Sequence, residues 1–168
     1  MNSAHFHLLI NHLPIVGSFI GFLLVFYSAI IKRDSSNLKA GLVILCLSCL
    51  SILPVYFSGE GAEEIVEHLE GVSHDSIEEH EEIAELGFYV SLFVALLSGV
   101  AFLAANQKND KATLLTNTTL FSALMLTVLF VFIGNTGGKI RHPEIQQSIE
   151  SSKDKLAPKL HIHDSDGD

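Results

Sequence analysis

Charged residues are missing from four long stretches of this sequence, which cover residues 10–31, 40–58, 86–106 and 112–138. Each stretch has about 18 residues or more, the length at which an α-helix crosses the hydrocarbon core of a bilayer. The 168-residue chain is 48% hydrophobic and has a mean hydropathy of +0.40, which excludes an ordinary soluble domain. Because lipid cannot satisfy free backbone N–H and C=O groups, the stretches predict membrane-spanning helices rather than strands.

Basic residues are missing from the N-terminus, because residues 1–7 contain neither Lys nor Arg. A cleaved signal peptide needs a basic start, a short apolar core and a cleavage site with small residues. The apolar stretch that follows residue 7 is also too long for such a core. We therefore expect the first helix to be retained.

Lys and Arg are also missing from residues 58–85, between the second and third stretches. The short loops after the first and third stretches contain Lys32, Arg33, Lys39, Lys108 and Lys111. Short loops rich in Lys and Arg face the cytoplasm. The sequence therefore predicts that the N-terminus, the middle segment and the C-terminal tail face outward, to the periplasmic side of a bacterial inner (plasma) membrane.

These patterns predict an all-α protein, a four-transmembrane-helix bundle with both termini outside. We expect helices over about residues 8–31, 38–57, 77–105 and 114–134, with kinks or breaks near Pro14 and Pro54. Residues 60–76 form a polar, acidic outer insert with helical propensity, and the helix after it runs straight into the third span. Residues 1–143 form the membrane domain, and residues 144–168 form a polar, partly disordered outer tail.

The sequence has no excess of basic residues, because its net charge is −9. All acidic residues except Asp34 and Asp110 lie in segments predicted to be outside. This distribution disfavours nucleic-acid binding, which needs a basic footprint. It would suit cations or a basic partner such as a small c-type cytochrome. A solvated outer surface explains the same charge.

Cysteine is scarce, with only Cys46 and Cys49, one helical turn apart in the second stretch. No His follows Cys49, so covalent haem attachment through this pair is excluded. In a leucine-rich apolar turn, both thiols are expected to act as small hydrophobic residues.

Histidine is the abundant functional residue, and all nine histidines fall in segments predicted to be outside. His12 and His80 are within about two turns of apolar helix, where ionisable residues are costly and indicate function. Small residues, Ala84, Gly87 and Ser91, follow His80 at helical spacing, which suits either a flat macrocycle or a packed helix. The leading hypothesis is a membrane cytochrome b-like electron-transfer subunit that binds haem b between His12 and His80.

Other polar residues near the helix ends have supporting roles in this hypothesis. His7 and His142 are expected to be second ligands or propionate partners, and Arg141 is expected to hold a propionate or to extend into the interface. Without an identifiable catalytic base or nucleophile, the chain is not expected to be an autonomous enzyme.

A non-haem metal is the main alternative, because the outer side contains many N and O ligands. A Zn, Cu or Fe ion would be held by some of His7, His12, Glu60, Glu64, His68, His80 and His142. A third interpretation has no cofactor, and the chain is then a structural or assembly subunit of a larger respiratory complex in the lipid bilayer.

The segment His7-Leu-Leu-Ile-Asn-His12-Leu-Pro14 resembles the opening of a family of four-helix bacterial membrane domains of uncharacterised function. Their first helix typically opens His-Pro-x-x-Val-His-Phe-Pro, and this sequence has Leu8 in place of the first Pro. The similarity covers most of residues 5–143 and extends to Ser58-Gly59, His80, and Gly137-Gly138 followed by His142 at a shorter spacing. Such domains are in some bacteria joined to c-type cytochrome modules, so the resemblance implies redox work at the outer face.

Overall fold

A computed structural model describes residues 2–32 and 35–141 of the chain, with only the backbone of Arg141. Within these ranges the secondary structure is helical, and four helical segments are long and apolar enough to cross a membrane. The segments are Ser3–Lys32, Ser35–Phe57, His74–Asn106 and Ala112–Ile140. The prediction of an all-α chain with four apolar helices of membrane-spanning length is therefore confirmed.

Both proline-containing segments are broken close to the proline. The first segment consists of α1 (Ser3–Ile10), α2 (His12–Phe26) and a π-helical turn (Tyr27–Lys32). The second consists of α3 (Ser35–Leu50) and α4 (Ile52–Phe57). A proline ring clashes with the carbonyl four residues earlier, and α1 and α3 end at these residues, four before Pro14 and Pro54. A helix break is therefore present near each of the two prolines, as predicted.

Glycine allows the first two segments to approach closely. A Cβ atom built on Gly21 would lie 2.8 Å from the backbone N of Leu45, and one on Gly41 would lie 2.9 Å from the backbone N of Val25. Small residues at such crossings let helix backbones pack in direct contact. The core beside this crossing contains Leu45, Cys49, Val94, Leu126 and Phe130.

The third segment is one continuous helix, α6 (His74–Asn106), of 33 residues. At 1.5 Å per residue it is about 50 Å long, which exceeds a hydrocarbon core of about 30 Å. Its acidic first turns therefore extend past the apolar part, as expected from the sequence. A short helix, α5 (Gly59–Val66), precedes it and packs on α1, and the chain turns at Gly71, whose φ is 85°.

The fourth segment, α7 (Ala112–Arg141), continues beyond the predicted end near Gly134. Three glycines there led us to expect unwinding, but glycine is tolerated in membrane helices when neighbouring helices pack against it. Gly137 packs against the ring of His80, whereas Gly134 and Gly138 have no neighbour within 4 Å among the described residues. One of the three glycines therefore makes a close contact, and none of them ends the helix.

The four segments alternate in direction, which gives the bundle two distinct ends. We call the end with the start of α1, the end of α4, α5, the start of α6 and the end of α7 the histidine end. We call the opposite end, which contains Lys39, Lys108 and Lys111, the lysine end. The Nζ of Lys39 donates to the side chain of Asn106 across the lysine end, and that of Lys139 contacts Glu79 at the histidine end. The assignment of the histidine end to the periplasm stays a prediction.

Candidate functional site

His7 on α1 is half-buried and held by the end of the second segment. Its Nδ1 lies 3.1 Å from the carbonyl oxygen of Val55 and 2.9 Å from the hydroxyl oxygen of Ser58. The Ser58 hydroxyl itself donates to the Val55 carbonyl at 2.8 Å. A carbonyl only accepts, so the hydrogen-bond network assigns the ring proton to Nδ1. The Nε2 of the neutral ring then has a free lone pair.

His80 on α6 is half-buried and held by α7 in the same manner. Its Nδ1 lies 3.0 Å from the hydroxyl oxygen of Thr136, and this hydroxyl donates to the carbonyl of Ile133 at 3.1 Å. Because the Thr136 proton is used in that bond, its oxygen accepts from Nδ1–H of His80. The lone pair of His80 is therefore on Nε2, as in His7.

The two imidazoles both lie at the histidine end. Burial, and after it the charge of His7, lower the pKa of His80. Glycines border both rings: a Cβ atom on Gly59 would lie 3.9 Å from Cε1 of His7, and one on Gly137 would lie 3.1 Å from Cε1 of His80. Histidines that bind metals through one ring nitrogen donate the other N–H to a carbonyl or similar acceptor, which fixes the ring and raises its basicity. Both rings have this arrangement.

Asn11 adds a third polar group on the face of His7. It follows His7 by four residues, at the junction of α1 and α2, so the two side chains point to the same side of the chain. The Oδ1 atom of Asn11 is buried and has no hydrogen-bond partner within the described part of the chain. A buried acceptor of this kind needs a donor to avoid a desolvation cost.

His12 lies outside this arrangement. It is exposed, and its Nδ1 bonds to the carbonyl of Leu8 on the preceding turn at 3.0 Å. Across residues 2–32 and 35–141, no three His, Cys, Asp or Glu side chains form a group that could hold a metal ion. His12 is therefore exposed and held within its own segment, whereas His7 and His80 are half-buried and held by neighbouring elements.

The other candidates of the alternative metal site lie at the surface. Glu60, Glu64 and His68 are all exposed. His68 follows the end of α5, and its Nδ1 contacts the backbone carbonyl of Glu64 at 2.9 Å and the carboxylate of Glu67 at 3.4 Å. These residues form a solvated edge next to the histidine pair.

The small residues that follow His80 on α6 form a packing surface. Gly87 and Ser91 are buried, and a Cβ atom on Gly87 would collide with the side chain of Ile133 on α7. The Ser91 hydroxyl donates to the Gly87 carbonyl at 2.7 Å. Helix packing, rather than a macrocycle lying along this face, accounts for the stripe.

The remaining candidates lie at the end of α7. Lys139 forms an ion pair with Glu79, with N–O distances of 3.0 and 3.2 Å. The side chain of Arg141 and all of His142 lie outside the described residues, so their proposed roles stay predictions.

Comparison of the chain with protein-family models, with curated proteins and with solved structures finds no match. The resemblance to four-helix bacterial membrane domains therefore stays a prediction.

Three residues of this site were not predicted as functional: Asn11, Ser58 in its bond to His7, and Thr136. Ser58 stood out only as part of a Ser-Gly pair. Asn11 was detectable from its position one helical turn after His7. Thr136 gave no signal, because its contact with His80 requires knowledge of how α6 and α7 pack.

Proposed function

We propose that this chain is a small membrane cytochrome b-like electron-transfer subunit whose His7 and His80 hold a haem b at the histidine end. The supporting observation is that two half-buried imidazoles at the histidine end, His7 and His80, each bond to the protein through Nδ1 and each keep a lone pair on Nε2. A haem bound in this way supplies reversible one-electron redox chemistry.

The chain's own residues would position these ligands. Val55 and Ser58 orient His7, Thr136 orients His80, and the donated N–H groups strengthen Nε2 as a ligand. The glycines beside the two rings keep methyl groups away from them. The unpartnered Oδ1 of Asn11 is suited to accept a hydrogen bond from a group held between the rings or from a water beside it.

The number of ligands favours haem over a non-haem ion. Protein sites for zinc use three or four side chains, whereas axial ligation of haem uses two. The histidine end contains two half-buried imidazoles, His7 and His80, whereas Glu60 and Glu64 of α5 are exposed. No three His, Cys, Asp or Glu side chains of the described residues form a group that could hold a metal ion. A non-haem site at His7 and His80 would have to recruit Glu60, Glu64 or His142 by rearrangement.

The surrounding charge supports a basic redox partner. The first turns of α6 and helix α5 contain many exposed Glu residues near the histidine pair. If the histidine end faces the periplasm of an inner membrane, this surface is complementary to a small basic c-type cytochrome, or to a basic face of a larger respiratory complex.

The decisive experiment is a visible spectrum of the purified protein, air-oxidised and then reduced with dithionite. We expect a reduced α band in the b-haem region and a low-spin signal in electron paramagnetic resonance. Both should disappear in His7→Ala and in His80→Ala. His68→Ala, which removes an exposed imidazole from the same end, is the matched control and should keep them.

A fourth variant, His12→Ala, tests which histidine opposes His80. Loss of the band in His12→Ala with retention in His7→Ala would replace His7 by His12 as the axial ligand. A folded protein that stays colourless after expression with added haem would overturn the haem proposal. Elemental analysis of that protein would then separate a non-haem metal site from a structural subunit.

A further inference from the structure

An open cavity of about 340 Å³ lies at the histidine end, next to His7. It is bordered by the start of α1 and by the junction of α4 and α5. Its lining residues are Asn2, Ser3, Phe6, Phe57, Ser58 and Gly61. Phe57 is the last residue of the second apolar segment, so the cavity opens where that segment leaves the hydrocarbon region.

The uncharged, partly aromatic lining suits a neutral ligand with one six-membered ring. None of these six lining residues is charged, which disfavours phosphates, carboxylates and metal ions. Phe6 and Phe57 are 40% and 73% exposed, so their rings are available to pack against a flat ring. Ser3 and Ser58 contribute hydroxyl groups. The volume is at the lower limit for small-molecule sites, about 300 Å³, which suits a single substituted ring.

Ser58 connects this cavity with the histidine pair. Ser58 is one of the lining residues of the cavity, and its hydroxyl oxygen accepts the hydrogen bond from Nδ1–H of His7. A hydroxyl oxygen has two lone pairs, so Ser58 has capacity for a second donor. A hydroxyl-bearing ring in the cavity would therefore be one side chain away from a ligand of the proposed haem.

We propose that the cavity binds the ring of a membrane quinol, whose tail lies in lipid and whose hydroxyl donates to Ser58. A quinol combines a neutral flat ring, hydrogen-bonding oxygens and access from the bilayer, as the lining requires. The use of this ligand as electron donor rests on the proposed function, but its binding does not.

Binding is tested with decylubiquinol and its oxidised form, decylubiquinone, on the full chain in phosphatidylcholine nanodiscs. We expect saturable binding that is roughly tenfold weaker in Phe57→Ala, which removes one packing ring. Phe121→Ala is the matched control: Phe121 is 66% exposed, lies on α7 away from the cavity, and should bind like the wild type. In Gly61→Leu, the added side chain should fill the cavity beside Ser3 and abolish saturable binding.

The outcomes separate this proposal from the haem proposal. In His80→Ala, loss of the haem spectrum with unchanged quinol binding supports a separate ring site. Non-saturable uptake that is equal in wild type, Phe57→Ala and Gly61→Leu would be simple partition into lipid and would overturn the proposal. Equal displacement by decylbenzene, which lacks the oxygens, would identify a nonspecific apolar site and also overturn it.

Discussion

At the scale of single residues, the hydrogen bonds to Nδ1 determine what His7 and His80 can do. Each bond favours one tautomer and leaves a lone pair on Nε2. The sequence predicts His80 as a ligand from its position at the start of an apolar helix, and pairs it with His12. In the structure His12 is exposed and His7 is half-buried, and we therefore propose His7 in place of His12. His7 and His12 are five residues apart, which separates their side chains by about 140° around a helix. The two side chains therefore cannot both point to the same side of the first segment.

The Thr136 hydroxyl is predicted to tune His80. Thr136→Val keeps the shape of the side chain but removes the acceptor at 3.0 Å from Nδ1. We expect the free energy of unfolding of this variant to be about 1 kcal/mol lower than that of the wild type. In the haem-bound protein the midpoint potential should rise, because a less basic imidazole stabilises the oxidised iron less well. A potentiometric titration and thermal unfolding by circular dichroism measure the two effects.

Thr127→Val is the control for this change. Thr127 lies on the same helix, but its hydroxyl donates only to the Ala123 carbonyl one turn earlier, at 2.8 Å. The potential of this variant should equal that of the wild type. An equal shift in both variants would mean that Thr136 acts through the helix and not through His80.

The glycine beside His80 is predicted to be a steric requirement. A Cβ atom at Gly137 would lie 3.1 Å from Cε1 of His80, whereas one at Gly138 would have no neighbour within 4 Å. Gly137→Leu should therefore displace the ring and greatly reduce haem retention, while Gly138→Leu should retain haem. The ratio of haem to protein in the two purified variants measures the difference, and equal ratios would contradict it.

At the scale of elements, the sequence was most informative where one residue acts on its own helix. Pro14 and Pro54 predict their breaks because the clash with the carbonyl four residues earlier is local. The end of α7 shows the opposite case. Gly134, Gly137 and Gly138 indicate a helix end by local propensity, but the helix continues because α6 packs against it. The position of this helix end depends on the packing of α6 and α7, which the sequence of α7 alone does not predict.

Close packing of the first two segments gives the element-scale prediction. In Gly21→Ala the new Cβ would lie 2.8 Å from the backbone N of Leu45, so the two segments must separate. Overpacking of this kind costs roughly 1–3 kcal/mol. Gly134→Ala has open space around its Cβ and should be neutral or slightly stabilising. Thermal unfolding in the same detergent compares the two, and equal midpoints would refute the close contact.

At the scale of the whole molecule, the charge-free stretches predict the four apolar helices, and the structure supports them without showing which end faces which compartment. The lysine end contains half-buried Lys39 and exposed Lys108 and Lys111, and the histidine end contains exposed carboxylates. This asymmetry predicts that the lysine end is cytoplasmic.

Single cysteines test this orientation with a membrane-impermeant thiol reagent. Glu64→Cys on α5 should be labelled from the periplasmic side of intact cells, and Asn109→Cys in the loop between α6 and α7 should be labelled only after lysis. Both positions are exposed. A difference in labelling therefore shows on which side of the membrane each residue lies, and not how deeply it is buried. The wild type is the control, because Cys46 and Cys49 lie within an apolar segment and should give little background.

The result decides which partners the histidine end can reach. Labelling in the predicted pattern would place His7, His80 and the cavity beside Phe57 where a periplasmic basic protein can dock. The reverse pattern would put them on the cytoplasmic side and exclude a periplasmic c-type cytochrome as the direct partner. Haem binding and quinol binding would survive such a reversal, since both depend on contacts inside the chain and not on its direction in the membrane.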